Sequence, residues 1–283
     1  PQLSFEFCFD LVTTSSAKKY SLRGASPYVS GQGVFSGNRV ELNAATGEYE
    51  FDPYGASPGS YPVTYTYTNV FGCQAGSTVA TISVQNSLFN CGSALTDVRD
   101  GKTYQTASIG GRCWMAENLN YGAGLPMHLP STDNCTPEKY CIPVDATCTI
   151  FGGLYQWDEL MQYGHSEAGK GLCPPEWHIP TENEWQQMIS SLGTGAYPPD
   201  GLAASFLKDP FLSNGFHALV GGLLYLNNAW SYTTGSLVGS MFWTSTSILP
   251  GKAVARGMNT QNPSASKYNG NVANAFSVRC VHD

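Results

Sequence analysis

The sequence predicts two folded units in series: an all-β sandwich over residues 1–84 and an α+β domain over 91–283, joined by a linker at 85–90. Three observations carry this reading. The chain has 283 residues, more than the ~100–150 of an ordinary single domain. Its N-terminal part alternates polar and apolar residues with period two, whereas a segment beyond residue 180 carries helical spacing behind a cap. Charged residues make up only 12%, about half the ~25% of an average soluble chain. Together with 31 Gly, 17 Pro and 16 Tyr, that low charge points to strands and long loops and away from a helical bundle. Hydrophobic residues at 42% suffice to build real cores, so disorder is not the reading.

Taken in order, Val63, Tyr65 and Tyr67 alternate with Thr64, Thr66 and Thr68, as in a strand with one buried face. Val40 and Leu42, then Tyr49 and Phe51, flank Ala-Thr-Gly at 45–47, which predicts a hairpin with Gly at the turn. Pro58-Gly59 and Phe71-Gly72 add turns, and short strands at this spacing give a sandwich of immunoglobulin type. In the second unit, Thr181-Glu-Asn-Glu184 is a capping box, in which the Thr181 hydroxyl accepts an amide while Glu184 reaches back. Trp185, Met188, Ile189 and Leu192 then fall on one helical face, and Gly193 is the stop. A second helix is predicted over 154–163 with Leu154, Trp157, Leu160 and Met161 inward, and a short one over 202–207. Beyond residue 210 no helix-length pattern survives. Two helices with irregular strands make an α+β unit.

The net charge of −7 argues against a nucleic-acid partner, which needs a basic face. The longest apolar stretch, 218–226, falls far short of the ~20 residues a bilayer demands, so no membrane insertion is expected. A chain starting at Pro1 reads as a mature form or an excised fragment. Its nine cysteines show no CxxC spacing, so zinc gives way to disulfides and an exported protein. Cys8 with Cys73 would close the first unit, and Cys173 with Cys280 would tie a distant loop to the C-terminus. Cys91 and Cys113 join the bridged set. Which two of Cys135, Cys141 and Cys148 pair stays open, and an odd count leaves one thiol over.

In the first unit, the stretches Gly33-Val-Phe-Ser-Gly37, Phe51-Asp-Pro53, 59–67 and Gly72-Cys73 resemble the Ig-like repeats of Bacteroidetes surface proteins. The second unit carries Thr96-Asp-Val-Arg-Asp-Gly-Lys-Thr-Tyr104, Ile109-Gly-Gly-Arg-Cys-Trp-Met-Ala-Glu-Asn-Leu119 and Gly153-Leu-Tyr-Gln-Trp157. Cys173-Pro-Pro-Glu-Trp-His-Ile-Pro-Thr-Glu-Asn-Glu-Trp185, Phe242-Trp-Thr-Ser-Thr246 and Phe276-Ser-Val-Arg-Cys280 follow. In this order they resemble the Fibrobacter succinogenes major paralogous domain family across nearly the whole unit. Ile179-Pro-Thr-Glu-Asn-Glu-Trp185 is also similar to the helix start of formylglycine-generating-type domains. Both resemblances imply a C-type-lectin-like fold, whose compact base carries a long, variable loop region near the C-terminus.

No enzyme is expected. The copper-binding cysteine pair of formylglycine-generating enzymes has no counterpart here, since no cysteine lies between Cys173 and Cys280. No GxSxG elbow occurs, and the five histidines are scattered, with His178 in a structural motif. Lectin-type calcium needs carboxylates, yet residues 210–282 hold no Asp or Glu against Lys252, Arg256, Lys267 and Arg279. An ion near Asp97 and Asp100 has no further support. No cofactor or metal is therefore expected.

The same region has the Tyr, Ser, Asn and Gly character of antibody paratopes. The expected ligand-binding residues are Trp230, Tyr232, Ile248, Leu249, Ala255, Gly257, Asn259, Gln261, Ser264, Ser266, Tyr268, Asn269, Asn271 and Asn274. Asn262 lies in the same run. The family resemblance extends to variable proteins of diversity-generating retroelements. It makes Ala253, Arg256 and Met258 fixed positions, with Ala255 and Gly257 free to vary. The function expected is a cell-surface adhesin or receptor-binding head, part of a larger surface protein, pilus or phage tail, whose target is a glycan or a protein. The alternative is a structural module of a surface array with no foreign ligand; such a module should oligomerise on size exclusion, and an adhesin head should not.

Overall fold

The computed structural model describes residues 7–24, 33–68, 74–87, 89–164, 167–192, 215–216, 218, 223–226, 230–233, 240–258 and 265–283. Two compact units emerge: Pro1–Leu88 with Asn134–Thr136 and Asp283, and Phe89–Asp133 with Pro137–His282.

Unit 1 is built from β1 (Val12–Thr14), β2 (Tyr20–Ser21), β3 (Gly33–Gly37), β4 (Val40–Leu42), β5 (Tyr49–Phe51), β6 (Gly59–Thr68) and β7 (Gln74–Gln85). One sheet runs β1-β7-β6-β3 and the other β2-β5-β4. All pairings are antiparallel except β1 with β7, which is parallel. The period-two pattern of β6 is visible in its burial: Val63 and Tyr65 are fully buried while Thr64 and Thr66 are not. With Phe35, Phe51 and Ile82 they form a core drawing on both sheets. The predicted hairpin is present in register, Val40 opposite Phe51 and Leu42 opposite Tyr49. Its turn is closed by Gly47 N–H donating to Asn43 O at 2.8 Å.

Cys8 is bonded to Cys135, which corrects the expected Cys8–Cys73 pair. Asn134–Thr136 accordingly groups with unit 1 despite its place in the chain. Cys73 and the Phe71-Gly72 turn lie outside the described residues.

Unit 2 contains β8 (Leu95–Thr96), β9 (Thr103–Tyr104), β10 (Thr106–Ile109), β11 (Arg112–Met115), β12 (Ala123–Gly124), β13 (Glu138–Lys139) and β14 (Tyr155–Gln156). There follow β15 (Trp177–His178), β16 (Leu223–Leu226), β17 (Trp230–Thr233), β18 (Ser240–Leu249), β19 (Lys252–Met258), β20 (Ser266–Asn271), β21 (Ala275–Phe276) and β22 (Val281–His282). The last strand, β22, is inserted between β11 and β15, with Val281 opposite both Trp114 and His178. The end of the chain thus completes a sheet begun near residue 106. Cys173–Cys280 fixes that closure, Cys91–Cys113 staples the start of the unit, and Cys141–Cys148 resolves the open pairing. Helix α2 (Glu182–Ser191) has both reciprocal bonds of the capping box, and Trp185, Met188 and Ile189 are buried against Trp114, Phe216 and Phe242.

The helix expected over 154–163 is a correction: α1 spans only Trp157–Leu160. Tyr155 and Gln156 pair instead with Phe276 and Ala275, and Gln162 and Tyr163 take positive φ, which stops the helix after one turn. The inward residues were placed correctly, since Leu154, Trp157, Leu160 and Met161 are all buried. The segment 202–207 lies outside the described residues.

Candidate binding surface

Near the C-terminus β18, β19 and β20 form a three-stranded antiparallel sheet in that order. β19 is central and buried along most of its length, as a strand covered on both faces must be. β20 is an edge strand whose burial pattern is exposed at five of six positions. At ~3.3 Å per residue it offers a border ~20 Å long.

Two tryptophans bolt this sheet to the body of the unit. Trp243 donates its indole N–H to Tyr155 O at 2.8 Å, and Trp157 donates to Thr244 O at 2.8 Å. The Trp243 ring lies 4.3 Å from that of Phe276. Gly270 permits β20 to close over it: a Cβ there would sit 2.5 Å from the indole Cη2.

The expected contact residues do not share one environment. Ser266, Tyr268, Asn269 and Asn271 are exposed on β20, and Ile248 and Leu249 are exposed at the β18–β19 tip. Tyr268 is opposite Ala255, rests 6.4 Å from the Phe276 ring and keeps 41% of its surface exposed. Asn271 spends its Oδ1 on Ala273 N–H at 3.0 Å. Ala255 and Asn274 are corrections, at 0% and 5% exposure. Ala255 is enclosed in the central strand between Trp243 and Tyr268, so it presents nothing to a ligand. Gly257 is half-buried. Trp230 and Tyr232 fall on β17, of which only the backbone is described, and Asn259, Gln261, Asn262 and Ser264 lie outside the described residues.

The four cations of the carboxylate-free segment are not all at the surface. Arg279 is fully buried: it donates to Asn118 Oδ1, Met115 O and Phe216 O, and burial pushes its guanidinium down to about 9. Arg256 is buried as well, paired with Glu182 and donating to Gln186 Oε1 at 2.9 Å and Ala265 O at 2.9 Å. Lys267 stands 3.8 Å from the same Glu182. The surface therefore keeps a small positive charge, from Lys252 and from Lys267 on β20, since the single carboxylate of Glu182 is shared between Arg256 and Lys267. Sequence reasoning missed Glu182, which lies on α2 and pairs with Arg256 of the sheet from 74 residues away.

Beneath it, His178 Nε2 lies 3.0 Å from Glu184 Oε1 in the interior. Burial pushes the Glu184 carboxyl up, but hydrogen bonds from His178 and from Thr181 outweigh it and bring the group down to about 2. Asp97 is bidentate to Arg99 and Asp100 is paired with Lys102, so both carboxylates already hold cations. Among the described residues no cluster of three or more His, Cys, Asp or Glu could hold a metal ion. Nor is any helix among them long and apolar enough to cross a membrane.

Fold and surface together define a β-rich, disulfide-stapled domain with an exposed C-terminal edge. A profile of the Fibrobacter succinogenes major domain matches residues 107–282, and the chain belongs to that family. No curated protein and no solved structure matches the chain significantly.

Proposed function

We propose that the chain is an exported binding protein, with an immunoglobulin-like module preceding a C-type-lectin-like head that meets its target through the β18–β20 edge. The two-sheet packing of unit 1, with β1 parallel to β7, supports the first assignment. In unit 2 a terminal strand closes the base while a separate three-stranded sheet, β18-β19-β20, exposes its tip and its edge strand, which supports the second. The head acts by recognition, not catalysis. Four disulfides fit an oxidising, extracellular site at a cell surface, pilus or phage tail.

The observation that carries the proposal is the exposed edge strand, with Ser266 and Tyr268 on one face and Asn269 and Asn271 on the other, beside Ile248 and Leu249, on a sheet braced by Trp243. Amide and hydroxyl groups supply hydrogen bonds, the Tyr268 ring supplies apolar area at low entropy cost, and the brace limits what binding must freeze. Retroelement-type variation fits the exposed positions of 247–251 and 266–271 and not Ala255. Sister loci with invariant codons there would refute that variation.

A glycan-and-protein array probed with the whole chain, with and without chelator, tests the reading. Binding to at least one surface glycan or protein that survives chelation is expected. Binding abolished by chelator would contradict a metal-independent surface.

A further inference from the structure

We propose that unit 2 holds a second ligand site, a cleft of about 410 Å³ that takes one neutral saccharide unit and shares no residue with the β18–β20 edge. Its floor is Tyr104, Asn118 and Asn120, and its walls are the turn carrying Lys102 on one side and Thr149–Gly152 on the other. Both walls are built, not incidental. The Asp145 carboxylate accepts from the backbone N–H groups of Thr149, Ile150 and Phe151 at 2.7–3.0 Å, and Cys141–Cys148 closes that loop. The opposite turn is held by the buried Asp97–Arg99 pair and by Gly101 N–H donating to Asp97 O at 2.8 Å. Gly152, at φ +71, keeps the wall against the floor, since a Cβ there would meet the Asn118 Cβ at 2.5 Å.

Floor chemistry points to the ligand. Asn118 is saturated: its amide donates to Phe151 O and Ser277 Oγ and its Oδ1 accepts from Arg279. Asn120 is 9% exposed, its N–H donates to Tyr104 Oη and its backbone O accepts from Lys139 Nζ, yet its Oδ1 meets no donor among the described residues. A buried carbonyl left without a partner costs about 1–3 kcal/mol, so a ligand that brings a hydroxyl or N–H donor there is favoured. Glu117 offers a further acceptor in the lining. Ile150, 62% exposed at the rim, presents an apolar face of the kind a sugar ring's C–H groups cover. Around the cleft Lys102 and Lys139 balance Asp100 and Glu117, so a net charge on the ligand gains nothing.

Titration of the whole chain with glucose, galactose, mannose and N-acetylglucosamine, followed by calorimetry or ligand-observed NMR, tests this. At least one should bind with Kd below about 10 mM, and glucuronate and glucosamine should bind about tenfold more weakly or not at all. Ile150→Asp, at an exposed position, should weaken binding about tenfold with an unchanged melting temperature, and Asn120→Ser, at a buried position, should weaken binding by a similar factor in protein shown to be folded by circular dichroism. Tyr268→Ala, on the separate edge, should leave it intact. No binding by any of the four sugars, or binding indifferent to both cleft variants, would overturn the proposal and leave the cleft holding water alone. Loss of this site would not touch the edge reading, nor the reverse.

Discussion

Glu184 concentrates several jobs in one side chain: it caps α2, accepts from Thr181 N–H at 2.8 Å, and meets both His178 and Arg112. Its carboxyl titrates lower in the folded chain, about 2, than the usual 4.5. A depressed acid stabilises the fold above its unfolded value and loses that contribution as pH falls from about 4.5 towards 2. The shift is worth on the order of 3 kcal/mol. Glu184→Gln should therefore lower stability at pH 7 by about 1–3 kcal/mol and flatten the loss between pH 4.5 and 2, as read by urea unfolding across pH. Thr181 and Glu184 were legible because a capping box is local in sequence. Arg279 was not. It reads as a surface cation among polar residues, yet its interior acceptor Asn118 lies 161 residues earlier, a distance no local pattern spans.

Among elements, α2 was legible because its cap, its apolar spacing and its packing all agree. The segment around α1 was not, because the same apolar positions serve a strand pair with Phe276 and then one helical turn. Ala255 failed for a similar reason. The family resemblance leaves Ala255 free to vary, but only the pairing of β18 and β20 on its two sides reveals that the strand is central. Cysteine pairing divided likewise. The expected tie from Cys173 to Cys280 is present, whereas Cys8–Cys135 joins residues 127 apart that no local pattern relates. Cys173–Cys280 closes a loop of sequence separation 107 and pins β22 into its sheet. Replacing both cysteines by Ala should cost about 2–5 kcal/mol, measured by denaturant unfolding under non-reducing conditions.

At the scale of the molecule, the proposed function divides rigidity and recognition between parts of unit 2. Buried Trp114, Trp157, Trp177, Trp185 and Trp243 fill the base, and exposed small polar residues with one lysine and one tyrosine line the edge strand. Such a division lets the border change without disturbing the core, because surface substitutions away from buried partners stay within about 0.5 kcal/mol. The composition of this border was visible in the sequence. Its geometry was not, since half of its cations turned inward to Glu182 and Asn118.

The most direct measurement compares the native chain with Tyr268→Ala and with Leu249→Ser for affinity towards an array-identified target, with melting temperature recorded in parallel. The account predicts about a tenfold or greater loss for Tyr268→Ala, a smaller loss for Leu249→Ser, and unchanged melting for both. Full affinity in both variants would contradict a target held at the β18–β20 edge.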